Sequence, residues 1–229
     1  MFSLHSFNIY KLFLVIASNW LLKIINSFCF LKYTKSLEGK EQDLLHPLQL
    51  VFETPIHLND SFPIMLTDTL HNAIKGYTIN IDSVTLNKIE IQHAWPSNTK
   101  FHLIIPQNAI KDTLENTLVK TDTIVFTTKL DKAYGACTIK ITGFEKYNNP
   151  ILLLSQDEKV KFSFPIIQSN FNIAKLPPGE YQVKILEDDN KNGKWDTGAF
   201  GFGKPKKQPE KVWMLPNKLS IRADWENEL

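Results

Sequence analysis

A period of two dominates this chain. Leu48, Leu50 and Phe52 alternate with polar or smaller neighbours, Ile79 is spaced from Ile81 and Ile89 from Ile91, and Cys137, Ile139 and Ile141 and then Tyr181, Val183 and Ile185 repeat the spacing. Successive side chains of a strand leave on opposite faces, so each such run reads as a strand with one buried face. Beyond Lys35 no helical periodicity is sustained, and Pro, Asn, Asp and Gly separate the runs. Short strands punctuated in this way build a sandwich or a barrel. The expected fold class is all-β.

At 229 residues the chain has room for two hydrophobic cores of roughly 100 residues each. In the first half, strands are expected at Leu48–Phe52, Phe62–Thr67, Tyr77–Asp82, Lys88–Gln92, Lys100–Ile105 and Asp122–Thr128, with turns at Trp95-Pro96-Ser97-Asn98 and Leu114-Glu115-Asn116. In the second half they are expected from Cys137 to Ile141, at Ile151–Ser155 and Val160–Phe164, after the Pro177-Pro178-Gly179 turn, and at Val212–Leu215 and Leu219–Trp225. The joint falls near Leu130–Tyr134. The reading is two consecutive antiparallel β-sandwiches, residues 35–131 and 132–229, preceded by an apolar helix within residues 1–34.

That N-terminal segment places Lys11 before the apolar run Leu12–Leu22, and after Lys23 a second apolar run continues from Ile24 to Leu31. The first run has the length of a signal-peptide core, and the two together could span a bilayer, although Lys23 would then lie near its middle. A signal peptide or membrane anchor is expected, with a translated remnant or a helix packed on the domains as alternatives. Net charge is only +2, with no basic face interleaved with aromatics, so a nucleic-acid partner is not expected. The two cysteines, Cys29 and Cys137, make no disulfide framework; Cys137 reads as a buried core thiol.

The runs Leu48–Ile56, Phe101–Pro106, Ala109–Asp112 and Thr123–Thr128 together resemble the bacterial Ig-like domain of S-layer type, over about residues 36–130. That family often carries Gly before Asn in its late loop. Glu115 stands there in this chain, so the turn is expected to differ. The entry Leu176-Pro177-Pro178-Gly179-Glu180-Tyr181 resembles that of transthyretin-like and carboxypeptidase-regulatory-like sandwiches. With Asp188–Gly198, Gln208-Pro209-Glu210 and Ala223-Asp224-Trp225, it is similar to the C-terminal module of Ig-like-domain envelope proteins of Gram-negative bacteria, over about residues 132–229. The resemblance implies an architecture and an envelope location rather than an activity.

Asp188, Asn190, Asn192 and Asp196 occupy positions 1, 3, 5 and 9 of a D-x-N-x-N-G loop, with Gly193 at the sixth. Alternate oxygen-bearing side chains on a tight loop can converge on calcium. The twelfth position, normally a bidentate acid, is Ala199, so weak calcium binding stands beside a metal-free loop in which Asp and Asn satisfy their own backbone. Phe200-Gly201-Phe202-Gly203 followed by Lys204 reads as an exposed loop, and Phe200, Phe202 and Lys204 are its candidate ligand contacts; Pro205 and Pro209 argue against a phosphate-binding helix start. The histidines are scattered, with no zinc spacing and no nucleophile elbow. Trp95, Trp195, Trp213 and Trp225 are expected to fill cores and cover sheet edges, with Trp195 plugging its own loop against the sandwich. The functional expectation is a non-catalytic, exported or membrane-associated envelope module with a structural or adhesive role. Its alternative is a glycan- or protein-binding module using residues 200–207. Envelope proteins or glycans are the expected partners, the membrane is reached through the N-terminal segment, and calcium is the only cofactor considered.

Overall fold

The computed structural model describes residues 30–201 and 204–229. Among these residues the fold is all-β, with short 3-10 turns at Asp131–Ala133 and Phe144–Lys146 and no α-helix. The chain forms two compact units, the first ending at Lys129 and the second running Leu130–Leu229.

In the first unit, β1 (Tyr33–Lys35), β3 (Leu48–Phe52), β6 (Thr78–Ile81) and β7 (Lys88–Gln92) form a sheet in the order β1-β3-β7-β6. A second sheet takes β2 (Glu41–Gln42), β5 (Met65–Thr67), β8 (Lys100–Ile105) and β10 (Asp122–Thr128) in the order β2-β10-β8-β5. A ribbon of β4 (Ile56–Leu58) and β9 (Ile110–Asp112) completes the unit. Leaving β2 and this ribbon aside, the strands group as A-B-E-D against C-F-G, the immunoglobulin arrangement.

The alternation explains why these sheets face each other. Leu48 and Leu50 lie opposite Ile91 and Ile89 and all four are fully buried, as are Leu103 and Ile105 on the facing sheet. Each such side chain contributes about 1.5–3 kcal/mol on leaving water. Trp95 closes the core, its ring edge-on to both Phe101 and Phe126 at 5.6 Å. Across the sheets, the Tyr33 hydroxyl donates to Asp122 at 2.5 Å, and burial together with that carboxylate pushes the phenol well above its ordinary range.

Two turns in this unit are the same device. Asp68-Thr69-Leu70-His71-Asn72 and Asp112-Thr113-Leu114-Glu115-Asn116 share four of five residues. In each, one aspartate oxygen accepts from the amides two and four residues on, the Asn side chain donates to the other oxygen at 2.9 Å, and the residue before Asn is left-handed (His71 φ 63°, Glu115 φ 65°). The turn expected to differ for want of Gly therefore keeps a left-handed backbone. Lys111 at 2.6 Å and His57 at 3.7 Å hold the Glu115 side chain.

In the second unit, β11 (Gly135–Lys140), β14 (Asn170–Leu176) and β19 (Glu226–Glu228) form one sheet, ordered β14-β11-β19. The other takes β12 (Pro150–Gln156), β13 (Lys159–Pro165), β15 (Gly179–Glu187) and β18 (Val212–Ile221), ordered β13-β12-β15-β18. Cys137, Ile139, Leu152, Leu154, Tyr181 and Val183 fill the core between them. Burial raises the Cys137 thiol above its usual range. Tyr181 donates to the Pro177 carbonyl at 2.8 Å, which ties the strand to the turn that opens it. On the opposite face of β12, Ile151 and Leu153 pack with Leu186, so the strand is buried on both sides.

Several expectations need correction. The helix expected over residues 1–34 lies mostly outside the described residues, and its last part is β1, paired antiparallel with β3, behind a buried Leu31. Among the described residues no helix is long and apolar enough to cross a membrane. The sandwiches are not wholly antiparallel: β2 runs parallel to β10 and β19 parallel to β11. Each closes a sheet edge with a strand of two or three residues that comes from a distant part of the chain. The two strands expected between Val212 and Trp225 are one, Val212–Ile221, with Pro216 in the bulge of this edge strand opposite Val183, where the ladder is interrupted and no N–H is required. Among the described tryptophans Trp95 is core and Trp213 lies on the edge strand, whereas Trp195 is 51 % and Trp225 61 % exposed, so neither fills a core.

Candidate functional site

The loop after β15 is built by its own side chains. Asp188 is buried, and its carboxylate accepts from the amides of Asn192 at 3.2 Å and Gly193 at 2.7 Å. Asn190 and Asn192 accept in turn from the amides two residues on, at 3.0 and 2.7 Å. Left-handed Lys191 and Gly193 complete the reversal. Both Asn side chains also donate to Asp196 Oδ2, that of Asn192 at 3.2 Å. The structure therefore brings Asn190, Asn192 and Asp196 to one point, while Asp188 turns to the backbone. Among the described residues no group of three or more His, Cys, Asp or Glu side chains is disposed to hold a metal.

The sequence reading missed the residue that closes this loop. Glu210 is buried, and its two carboxylate oxygens accept from the amides of Asp189 at 3.1 Å and Asp196 at 3.0 Å, one near each end of the loop. Its own N–H donates to the Asp196 carbonyl and its carbonyl accepts from Trp195 Nε1 at 2.9 Å. Trp195 is thus held by its polar edge while half its surface stays in water, rather than plugging the loop against the sandwich. Of the other candidates, Phe200 on β16 (Ala199–Gly201) and Lys204 on β17 (Lys204–Lys207) stand on the two strands of a hairpin, and Phe202 lies outside the described residues.

Beside the loop opens a cleft of about 630 Å³, walled by Phe144, Tyr147, Ile151, Pro165, Ile166 and Ile167 and rimmed by Glu145, Asn149, Ser163, Asp188 and Lys191. Asn148 donates to Asp189 at 3.1 Å and the Asp188 amide to the Asn149 carbonyl at 3.3 Å, so the two loops at its mouth are tied together. Tyr147 packs against Trp213, ring centres 4.7 Å apart and planes tilted by 52°.

The shifted acids of the first unit are turn staples. Hydrogen bonds from Asn72 hold Asp68 below its ordinary range, and the Thr85 and Val84 amides with Lys88 do the same for Asp82. Burial works to raise Asp112, but the three hydrogen bonds from Asn116 and Leu114 outweigh it and the net shift is downward. Lys111 lowers Glu115.

Residues 128–208, from the end of β10 past the hairpin, match a family described as "Uncharacterized protein conserved in bacteria" (DUF2141). No curated protein matches the chain. Among solved structures, native Escherichia coli alpha-2-macroglobulin spanning domains MG0-NIE-MG1 is similar at 10 % identity, over 86 % of this chain and 93 % of that one, with a TM-score of 0.36. The cryo-EM native conformation of E. coli alpha-2-macroglobulin matches at 11 % identity, over 86 % of this chain and 18 % of its own, TM-score 0.37. The Bacillus anthracis TIE protein matches at 11 % identity, over 87 % and 40 %, TM-score 0.25.

Proposed function

We propose that the chain is a non-catalytic module of the bacterial cell envelope with a structural or adhesive role. The observation that carries this reading is how its carboxylates are employed. Asp68, Asp82 and Asp112 are drawn down, away from the neutral range in which acid–base catalysis works, and each fastens a turn. Asp188 and Glu210 are likewise committed to backbone amides. Such stapling suits a surface module that must hold its loops in shape. The resemblance of residues 36–130 to S-layer-type Ig-like domains and of residues 132–229 to transthyretin-like envelope modules supports the location. The family matched over residues 128–208 is described as conserved in bacteria, which supports the bacterial part of the reading alone. The test is fractionation of cells carrying the tagged full-length chain, followed by sedimentation of the purified chain with isolated envelopes. Recovery in the envelope fraction and saturable co-sedimentation are expected. A chain found wholly in the cytosol that ignores envelopes overturns the reading.

The meeting of Asn190 and Asn192 at Asp196 favours a second reading, weak calcium binding by the 188–196 loop. A half-turn of each amide would present oxygen in place of nitrogen at the cost of the bonds those oxygens now accept from the Asn192 and Lys194 amides, which makes the binding weak. Calorimetric heat and a rise in melting temperature at millimolar calcium, both lost in Asp196→Ala, are expected. Neither signal at that concentration rejects the site.

A further inference from the structure

We propose that the cleft beside the Asp188–Gly193 loop binds an uncharged sugar chain. This names a ligand class for the adhesive reading and rests on it. The volume of about 630 Å³ falls within the roughly 300–1,000 Å³ usual for small-molecule sites. Its walls are ring and branched aliphatic surface, and Ile167, on one lip, is 82 % exposed. Its rim carries two acids, Glu145 and the buried Asp188 whose oxygens are taken up by the Asn192 and Gly193 amides, with one cation (Lys191), an amide (Asn149) and a hydroxyl (Ser163).

Charge and solvation decide between ligand classes. Asp188 is buried and spent on its own loop's amides, so the charges left to meet a ligand are Glu145 and Lys191, which oppose each other and favour neither an anion nor a cation. A pure hydrocarbon would cover the amide and the hydroxyl without partnering them, and that desolvation is costly. A sugar ring has a C–H face to lay on the walls and a girdle of hydroxyls that both donate and accept, which is the mixture the rim offers. Tyr147 is the stacking surface. Trp213 packs against it at 4.7 Å, which restricts the Tyr147 side chain before binding. The hydrogen bonds Asn148–Asp189 and Asp188–Asn149 hold the mouth before any ligand arrives.

The test titrates the full chain with chitohexaose, cellohexaose and maltohexaose, with octanoate as the hydrocarbon probe, following tryptophan emission, to which Trp213 reports. A saturable change with at least one hexaose and none with octanoate is expected. Tyr147→Ala and Ile167→Glu should each weaken binding roughly tenfold; the melting temperature should stay unchanged in Ile167→Glu, which lies on exposed surface, and fall in Tyr147→Ala, which loses the Trp213 contact. No saturable change with any hexaose, binding of octanoate in their place, or wild-type affinity in Ile167→Glu overturns the proposal. Co-sedimentation with envelopes that no hexaose displaces would reject the cleft and leave the adhesive reading standing. Failure to co-sediment at all would reject that reading itself.

Discussion

Replacing Glu210 by Ala removes both carboxylate oxygens that hold the 188–196 loop, leaving the amides of Asp189 and Asp196 without acceptors. A hydrogen bond to a charged group contributes about 1.5–3 kcal/mol, and the two amides are only part-buried, so water recovers some of the loss. The expected cost is about 3 kcal/mol. For a unit of roughly a hundred residues that lowers the melting temperature by roughly 12–24 °C. Glu210→Gln keeps one acceptor but turns an NH2 toward the other amide, and should cost about half as much. The assay pairs thermal unfolding with amide hydrogen exchange. The order wild type, Gln, Ala is expected in melting temperature, with protection lost first at Asp189 and Asp196. An alanine variant that melts like wild type with both amides still protected would refute the clamp.

Gly135→Ala should cost about 2–3 kcal/mol in a urea titration, because an added Cβ would lie 2.3 Å from the Arg222 carbonyl oxygen and 2.7 Å from Ile221 Cγ2, and backbone cannot yield cheaply. Asp112→Ala should cost about 2–3 kcal/mol by the same measurement, since three hydrogen bonds end on a buried carboxylate. Asp68→Ala should cost less, because the matching turn is more exposed. Equal losses at the two positions would show that burial does not set the strength of this turn.

Period-two burial carried far in the chain, since Leu48–Phe52, Lys88–Gln92, Lys100–Ile105 and Asp122–Thr128 are strands at the expected bounds. β14 escaped notice for a physical reason. Its buried residues are Ile173 and Leu176, an odd interval that arises because β14 itself bulges, spending three residues where β11 spends two between Cys137 and Gly135, so the alternation slips out of phase. The parallel edge strands β2 and β19 are too short to show any period. At the loop, of the four residues at D-x-N-x-N-G spacing, Asn190 and Asn192 meet Asp196 while Asp188 turns to the backbone amides instead. Glu210 was invisible because it lies in Gln208-Pro209-Glu210, which reads as exposed loop, and its contacts span 14 and 21 positions. One signal was there to be used: the repeated Asp-Thr-Leu-x-Asn pentapeptide at 68–72 and 112–116 marks two copies of one turn before any coordinates are seen.

The claim that these acids fasten turns rather than move protons can be tested by following the side-chain carboxyl carbons by NMR as the pH is lowered. A carboxyl whose folded pKa is depressed contributes stability that is complete above its unfolded value and disappears as pH falls through the folded one. Asp68, Asp82 and Asp112 should therefore titrate below about 3.9 and Glu115 below about 4.3, with the first unit losing stability over that acid range. A midpoint near neutrality for any of the four would contradict the account.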